Sequence, residues 1–296
     1  MNAMRERTRV ELGRREDLGA DCARCFGLCC VALAFARSAD FPFDKPAGDP
    51  CENLDDHDAC RVHTELRPRG FVGCTVFDCF GAGQKVSQHT FEGRSWRSDP
   101  ATRTAMFATF PIVRRLHELL WYLEQAIVLV GETGETGETG DATPLLSRFD
   151  RVSALSREQP DRLLGLDVDA EYAAARPLLL QASEDARRGV PRGLPDRSVR
   201  RRLGPGRDLA GAALAGADLR GLSLRGSLLI GADLSGALLS HCDLLGVDLR
   251  DANVAGADLA GAIYLTQMQV SSARGDGRTL LPSGFARPAH WSRNRR

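Results

Sequence analysis

Aromatic residues make up only 6% of this 296-residue chain, and only Lys45 and Lys85 among its 39 basic residues are lysine. So few rings exclude a core built mainly on aromatic packing. Together with 30 glycines, they point to a core made of small repeating units. The excess of arginine reads as the codon usage of a GC-rich genome rather than a choice of bidentate donors. Net charge is absent too: 39 acidic residues balance the basic ones. That excludes a generally basic surface, so no direct nucleic-acid binding is expected. The chain lacks any run of about 18 apolar residues. Its most apolar stretch, 116–130, is broken by His117, Glu118, Glu124 and Gln125, so no membrane span is expected. The first 21 residues have no apolar core of the kind a secretory signal needs, and the expected location is cytoplasmic. With 43% hydrophobic and 26% charged residues, the chain has the composition of a folded protein.

What is present is unevenly spread. Eight of the nine cysteines fall between Cys22 and Cys79. Asp99-Pro100 is a helix start, and Ile112, Leu116, Leu119, Leu120, Leu123 and Ile127 keep one apolar face. Pro111 is expected to divide this stretch or to begin its longer helix. The segment GETGETGETG from Gly131 to Gly140 has no apolar group and reads as a flexible linker. Helical patterns resume at Pro144–Leu155 and Asp169–Arg188. The organisation expected is an N-terminal tail (1–20), a cysteine-rich metal-binding domain (21–98), a helical segment (99–130), a linker (131–142), a second helical segment (143–202), a repeat region (203–266), and a C-terminal cap and tail (267–296).

From Arg207 to Thr266 the chain divides into twelve five-residue units. The middle residue is Leu in ten of them, the exceptions being Val254 and Tyr264, and the last is Gly in nine. A period of five fits neither regular element. On a helix it advances about 500°, so the leucines would spiral; on a strand it alternates faces. A bend of a quarter turn every five residues removes the conflict, pointing each middle Leu and each small first residue inward. Cys242 takes one such first position and reads as an inert buried thiol. These units resemble the pentapeptide-repeat family, with its A-[DN]-[LF]-x-x pattern. The resemblance implies a right-handed quadrilateral β-helix of about three coils, making the whole a mixed α and β protein. It also implies that Asp208, Asp218, Asp233, Asp243, Asp248 and Asp258 face solvent. Both ends of such an array need caps: the 169–188 helix is the candidate for one, and the segment after Thr266 for the other. The latter ends in His290 and Trp291, read as packing residues.

Cys22, Cys25, Cys29 and Cys30 follow the pattern C-x2-C-x3-C-C, and Cys51, Cys60, Cys74 and Cys79 come after them. Without disulfides in a reducing compartment, such density suits zinc or an iron–sulfur cluster, each of which accepts four sulfur ligands. Adjacent Cys29 and Cys30 would either serve different centres or divide into one ligand and one packing residue. His57, His63, His89 and Asp78 are further candidates to complete a site. The stretch 21–80 resembles the YkgJ-type family of zinc- or iron-chelating cysteine-cluster domains. The matching residues are the first four cysteines, Pro50-Cys51-x2-Leu54, Cys60-x-Val62-His63, Arg67-Pro68 and Asp78-Cys79. That resemblance implies a bound metal and no particular reaction. The run Gly81-Ala82-Gly83 with Lys85 lacks phosphate-loop spacing and reads as a turn beside the site.

The function expected is a non-enzymatic metal-binding repeat protein acting as a protein-interaction module or scaffold, its oligomeric state open. Two alternatives stand beside it. One is a DNA mimic directed at DNA gyrase, implied by some members of the repeat family. Against it, the repeats carry seven Asp against four Arg, a net −3, over a height of only about 15 Å. The other is an iron–sulfur redox or modifying enzyme.

Overall fold

The computed structural model describes residues 18–132, 140–191, 193 and 200–293. Most of the expected N-terminal tail and of the GETGETGETG linker lies outside the described residues. The chain divides into two compact units, one of residues 1–127 and 142–179, the other of 128–141 and 180–296.

In the first unit, three short helices sit among turns: α1 (Leu28–Val31), α2 (Val72–Val76) and α3 (Ala82–Lys85). They are followed by the long α4 (Pro100–Glu132). Asp99 starts α4 by accepting hydrogen bonds from the Thr102 backbone N–H and hydroxyl, both at 2.8 Å, which satisfies donors orphaned by the helix end. Pro111 does not divide the helix, contrary to expectation; α4 runs through it. Met106, Phe110, Val113, Leu116 and Leu119 around it are all buried, and that packing offsets the one backbone bond a proline removes. The helix grips the cysteine-rich segment through polar as well as apolar contacts. Arg114 Nε donates to the Asp78 carbonyl at 2.9 Å, and His117 Nδ1 lies 2.7 Å from the Phe80 carbonyl. Trp96, just ahead of the helix, donates to the Phe26 carbonyl at 2.9 Å.

Helices α5 (Thr143–Leu155), α6 (Pro160–Leu164) and α7 (Val168–Arg187) follow. Glu171 of α7 is buried and accepts hydrogen bonds from Arg151 Nη2 at 2.7 Å and Arg148 Nη1 at 3.1 Å, both on α5. Arg151 above all, then Arg148, holds the Glu171 carboxyl below its ordinary range against the opposing effect of burial. Its folded value thus lies below its unfolded one. The stabilisation is fully present above the ordinary glutamate range and is lost as pH falls through the folded value. Glu171→Gln is expected to cost about 1–3 kcal/mol at neutral pH and to flatten the acid limb of stability below about pH 4. Denaturant titrations at several pH values read both effects, and a pH-independent difference would contradict the pairing.

In the second unit the repeats stack with a register of twenty residues. Parallel bridges join Asp208 to Leu228, Ala213 to Asp233, Asp218 to Leu238 and Ser223 to Asp243, and the next coil repeats them up to Asp243–Ile263. Leu219, Leu239 and Leu259 fall in one column and are buried, as are Leu224, Leu244 and Tyr264 in the next. Cys242 is fully buried among these side chains, and burial pushes its thiol well up.

The expected mixed α and β fold with a quadrilateral β-helix is corrected here. Among the described residues there is no strand and no sheet; the pairings are isolated one-residue bridges, and the regular elements are helices. The reason lies in the five-residue unit. Its fourth and fifth positions form a turn, the fifth in the left-handed region, as at Gly211 (φ 64°) and Gly236 (φ 65°). Only the second position is left to pair, and one paired residue does not make a strand. His241 (φ 55°) and Asp251 (φ 56°) take the same corner without glycine's freedom.

Asp243 is a second correction. It is fully buried rather than solvent-facing, and it accepts a hydrogen bond from Ser183 Oγ at 2.7 Å, with Arg225 Nη1 at 3.6 Å. Arg187, one turn after Ser183, approaches the Gly221 carbonyl at 3.5 Å. The end of α7 therefore packs on the repeats at Gly221 and Asp243, and just beyond it the Gly193 N–H donates to the Arg220 carbonyl of the first coil at 2.8 Å. The other cap forms as a short helix, α8 (Gln267–Ser272), begun by a reciprocal Thr266–Gln269 capping box. Beyond it, Arg274 and Leu280 bridge Asn253 and Asp258, extending the pairing past the last repeat. Trp291 is buried against the same core and donates to the Ala273 carbonyl at 3.0 Å.

Candidate metal centre

Seven of the eight clustered cysteines line one cavity of about 210 Å³: Cys22, Cys25, Cys29, Cys30, Cys51, Cys60 and Cys74. No disulfide links any of the nine cysteines. The local sequence explains the convergence. Asp21 caps a short 3-10 turn over Cys22–Arg24, its side chain accepting from the Ala23 N–H at 3.1 Å, and this turn carries the C-x2-C pair. Gly27 adopts φ 66° and reverses the chain into α1. The Cβ that Gly27 lacks would stand 2.8 Å from Leu54 Cδ1, so a side chain there would displace Leu54 as well as strain the backbone. Helix α1 carries Cys29 and Cys30, whose sulfurs are 3.9 Å apart.

The second half of the site docks through backbone. Cys51 donates its N–H to the Cys30 carbonyl at 2.9 Å, and Leu54 bridges Cys60 in antiparallel fashion. Cys60 and Cys74 pack together on a small apolar cluster of Val62, Leu66 and Phe71. Cys79 does not line the cavity. It lies behind it, against α3, where the Cβ that Gly83 lacks would sit 2.7 Å from Cys25 Sγ and 3.8 Å from Cys79 Sγ.

Of the other expected candidates, only His63 lines the cavity. His57 and His89 are exposed, and Asp78 accepts from the Phe80 N–H at 2.8 Å in a turn. Four contributors were not foreseen. Asp58 lines the cavity and pairs with Arg97 at 3.0 Å. Phe35 and Phe41 stack with centroids 4.3 Å apart and form an apolar wall. Lys45 is buried beside the thiols, its ammonium donating to the carbonyls of Val31, Pro46 and Asp49 at 3.3, 2.9 and 2.8 Å. It ties the end of α1 to the loop that leads to Cys51. Its presence as lysine in an arginine-dominated chain was the signal available in the sequence: three separate carbonyls suit a compact ammonium and not a planar guanidinium.

Burial, and then the neighbouring Cys29, pushes the Cys25 thiol well up. Burial and the adjacent Asp78 push Cys79 up to about 12. Cys30 is also raised, first by its hydrogen bond with Cys29 and then by burial. Crowded thiols that resist ionisation in one another's company are what an added cation would relieve.

The donor set suits zinc or iron, as thiolates do, and Gly83 leaves room for the Cys25 and Cys79 sulfurs to approach. Among the described residues, no three His, Cys, Asp or Glu side chains converge closely enough to hold an ion. The sulfurs would have to draw together on binding. Gly83→Ala tests the cradle. The change favours the helix by about 1 kcal/mol on propensity alone, yet its Cβ would meet Cys25 Sγ at 2.7 Å. A variant less stable than the parent in a thermal melt is expected; a more stable one would show that the sulfur moves aside freely.

Comparison with known proteins places the repeats first. The family described as pentapeptide repeats matches in eight copies, over residues 208–244 and 227–263. The uncharacterized protein YybG of Bacillus subtilis (strain 168) is 52% identical over 275 residues, which is 93% of this chain and 95% of that protein. Among solved structures, a pentapeptide repeat protein from the Arabidopsis thaliana thylakoid lumen is 27% identical, covering 31% of this chain and 67% of its own, with a TM-score of 0.17. No helix among the described residues is long and apolar enough to cross a membrane.

Proposed function

This chain belongs to the pentapeptide-repeat family and is a relative of the uncharacterized Bacillus subtilis protein, and from that premise we propose that it is a metal–thiolate scaffold protein rather than an enzyme. The observation that carries the reading is the gathering of seven cysteines around one cavity with no disulfide among them. In this reading Cys22, Cys25, Cys29, Cys30, Cys51, Cys60, Cys74 and Cys79 supply the donors. A bound zinc would cross-link four of them and stabilise the segment by on the order of 10 kcal/mol. Lys45 holds α1 and the Cys51 loop in place and sets a positive charge beside the thiolates. The aromatic wall of Phe35, Phe41 and Phe77 limits water.

The repeats would serve as the surface for a protein partner. A gyrase-directed DNA mimic is disfavoured by how the second positions stack. Asp208, Leu228 and Asp248 form one column, and Asp218, Leu238, Asp258 and Leu280 another. Aspartates there alternate with leucines, so no continuous acidic track imitates a phosphate backbone. The same thiols suit an iron–sulfur cluster, which would reopen the redox reading. Metal analysis of anaerobically purified protein, with its visible spectrum, decides. Zinc with no visible absorption is expected. Broad absorption near 400 nm with iron and sulfide would favour the cluster, and less than about one equivalent of either metal would defeat the proposal.

A further inference from the structure

The balance of charge over the whole chain conceals an uneven distribution within the second unit. After Arg207, every arginine of the repeats has a carboxylate: Arg220 pairs with Asp218 at 2.8 Å, Arg225 with Asp243 at 3.6 Å and Arg250 with Asp248 at 2.6 Å. Past the last repeat, Arg274 and Arg278 pair with Asp251 and Asp276. The other end of the stack differs. Residues 200–207, RRRLGPGR, hold four arginines and no acid. Arg200, Arg201, Arg202 and Arg207 are all exposed, and none forms an ion pair with a described residue. The backbone fixes this segment on the first coil. The Leu203 N–H donates to the Arg200 carbonyl at 3.3 Å, closing a turn, and Leu203 packs against the repeat core. The Gly206 N–H donates to the Arg225 carbonyl at 2.7 Å, the same step by which Gly226 reaches Leu245 one coil later. Ser227 Oγ donates to the Gly204 carbonyl at 2.9 Å. The Cβ that Gly204 lacks would lie 3.9 Å from Arg207 Nε, so the Arg207 side chain folds back beside Gly204, toward the turn that carries the other three.

We propose that Arg200, Arg201, Arg202 and Arg207 form a docking surface for double-stranded DNA at the N-terminal end of the repeat stack, holding phosphates without reading bases. The inference is independent of the metal–thiolate reading and concerns the end of the stack, not its sides. Four guanidiniums with no carboxylate to neutralise them suit a ligand that brings closely spaced anions. Duplex DNA carries one charge per about 1.7 Å of its axis, and a guanidinium can hold a phosphate through two parallel hydrogen bonds. The composition of the segment decides against other polyanions. Single strands are held by aromatic side chains on which bases stack, and residues 200–207 have none. A membrane surface is held by apolar side chains beside the charges, and a protein interface by a buried apolar or aromatic centre. Leu203 is the one large apolar side chain of the segment, and it faces the repeat core instead. The nearest acid in sequence, Asp208, is exposed and accepts from the Ala210 N–H at 3.0 Å within its own unit. Binding carried by charge alone is independent of sequence and strongly dependent on salt.

The test is a fluorescence-anisotropy titration of the full chain into labelled duplexes of about 20 base pairs and of two unrelated sequences. Equal affinity for the two sequences is expected. Four phosphate contacts predict a slope of log affinity against log salt of about −3.6, hence about a hundredfold weakening between about 50 and 200 mM salt. Replacing Arg200, Arg201 and Arg202 together by Gln should reduce the slope to about −1 and abolish measurable binding at the higher salt. The same three changed to Lys should keep most of the affinity, because charge carries it. Arg250→Gln, at an exposed arginine already paired with Asp248, should change nothing. All four arginines point into solvent, so the variants should fold, and their thermal melts check this. No binding at about 50 mM salt, or binding that the triple Gln variant retains, would overturn the inference. So would equal affinity for a single strand of the same length. Sedimentation with phosphatidylserine vesicles in place of duplex binding, lost in the triple Gln variant, would overturn it in favour of a membrane surface.

Discussion

Removing metal with a strong chelator under reducing conditions is expected to unfold the cysteine-rich segment while the repeats keep their structure. Apart from their packing against α4, residues 21–98 have little regular structure to hold them. Their described helices α1 to α3 are four or five residues long, far below the length at which a helix is stable by itself. The apolar cluster beside the cavity has only Val62, Leu66 and Phe71 fully inside it, and no disulfide restrains the chain. A thiolate-bound metal supplying on the order of 10 kcal/mol would exceed the whole stability of many domains. The repeats depend on none of this, since their buried leucines and alanines form a separate core. Limited proteolysis with and without chelator reads the contrast directly. New cleavage is expected between Cys22 and Cys79, and the fragment from Leu209 to Trp291 should persist. Unchanged resistance of the cysteine-rich segment in metal-free protein would mean that packing against α4 suffices.

How far the sequence discloses this molecule depends on the range of the interaction. The five-residue period is local and periodic, so the inward leucines and the twenty-residue register could be read from it. So could the burial of Cys242 and Trp291. The cysteine spacing marks the site because C-x2-C and adjacent cysteines constrain geometry over a few residues. What escapes is set by neighbours distant in sequence. Nothing near Asp243 distinguishes it from Asp233 or Asp248, and its burial depends on Ser183, sixty residues away. Gly83 looks like any turn glycine until Cys25 is placed against it. Pro111 reads locally as a break, and burial of the surrounding α4 side chains overrides it. The β-helix expectation failed for a different reason. Period and inward pattern fix where side chains point, but they do not say how many residues per unit pair, and here only one does.

The repeats allow a sharp contrast between two substitutions in the adjacent sixth and seventh of the twelve units. Leu239→Ala is expected to cost about 2–5 kcal/mol, and Asp233→Ala about 0.5–1 kcal/mol. Leu239 is 1% exposed and lies in the column between Leu219 and Leu259, themselves 0% and 2% exposed. Its truncation opens a cavity in the middle coil, with neighbours above and below already fixed by backbone bonds such as Leu219 N–H to the Leu238 carbonyl and Leu239 N–H to the Asp258 carbonyl. Little relaxation can fill that space, so the cost should fall toward the upper part of the range. Asp233 belongs to the adjacent unit but points outward. It accepts from the Ser235 N–H at 3.1 Å and from Asn253 Nδ2 at 3.0 Å, both half-buried partners that water can replace. The loss is therefore small, though above that of a bare surface change. Denaturant titration of both variants gives the comparison. The midpoint should shift strongly for Leu239→Ala and slightly for Asp233→Ala, with the slope unchanged in each. The unchanged slope follows from the short stack: with one interior coil there is no partial array to survive, so the repeats should melt as one unit. Equal midpoint shifts would contradict the inward column, and a second transition in Leu239→Ala would contradict the single unit.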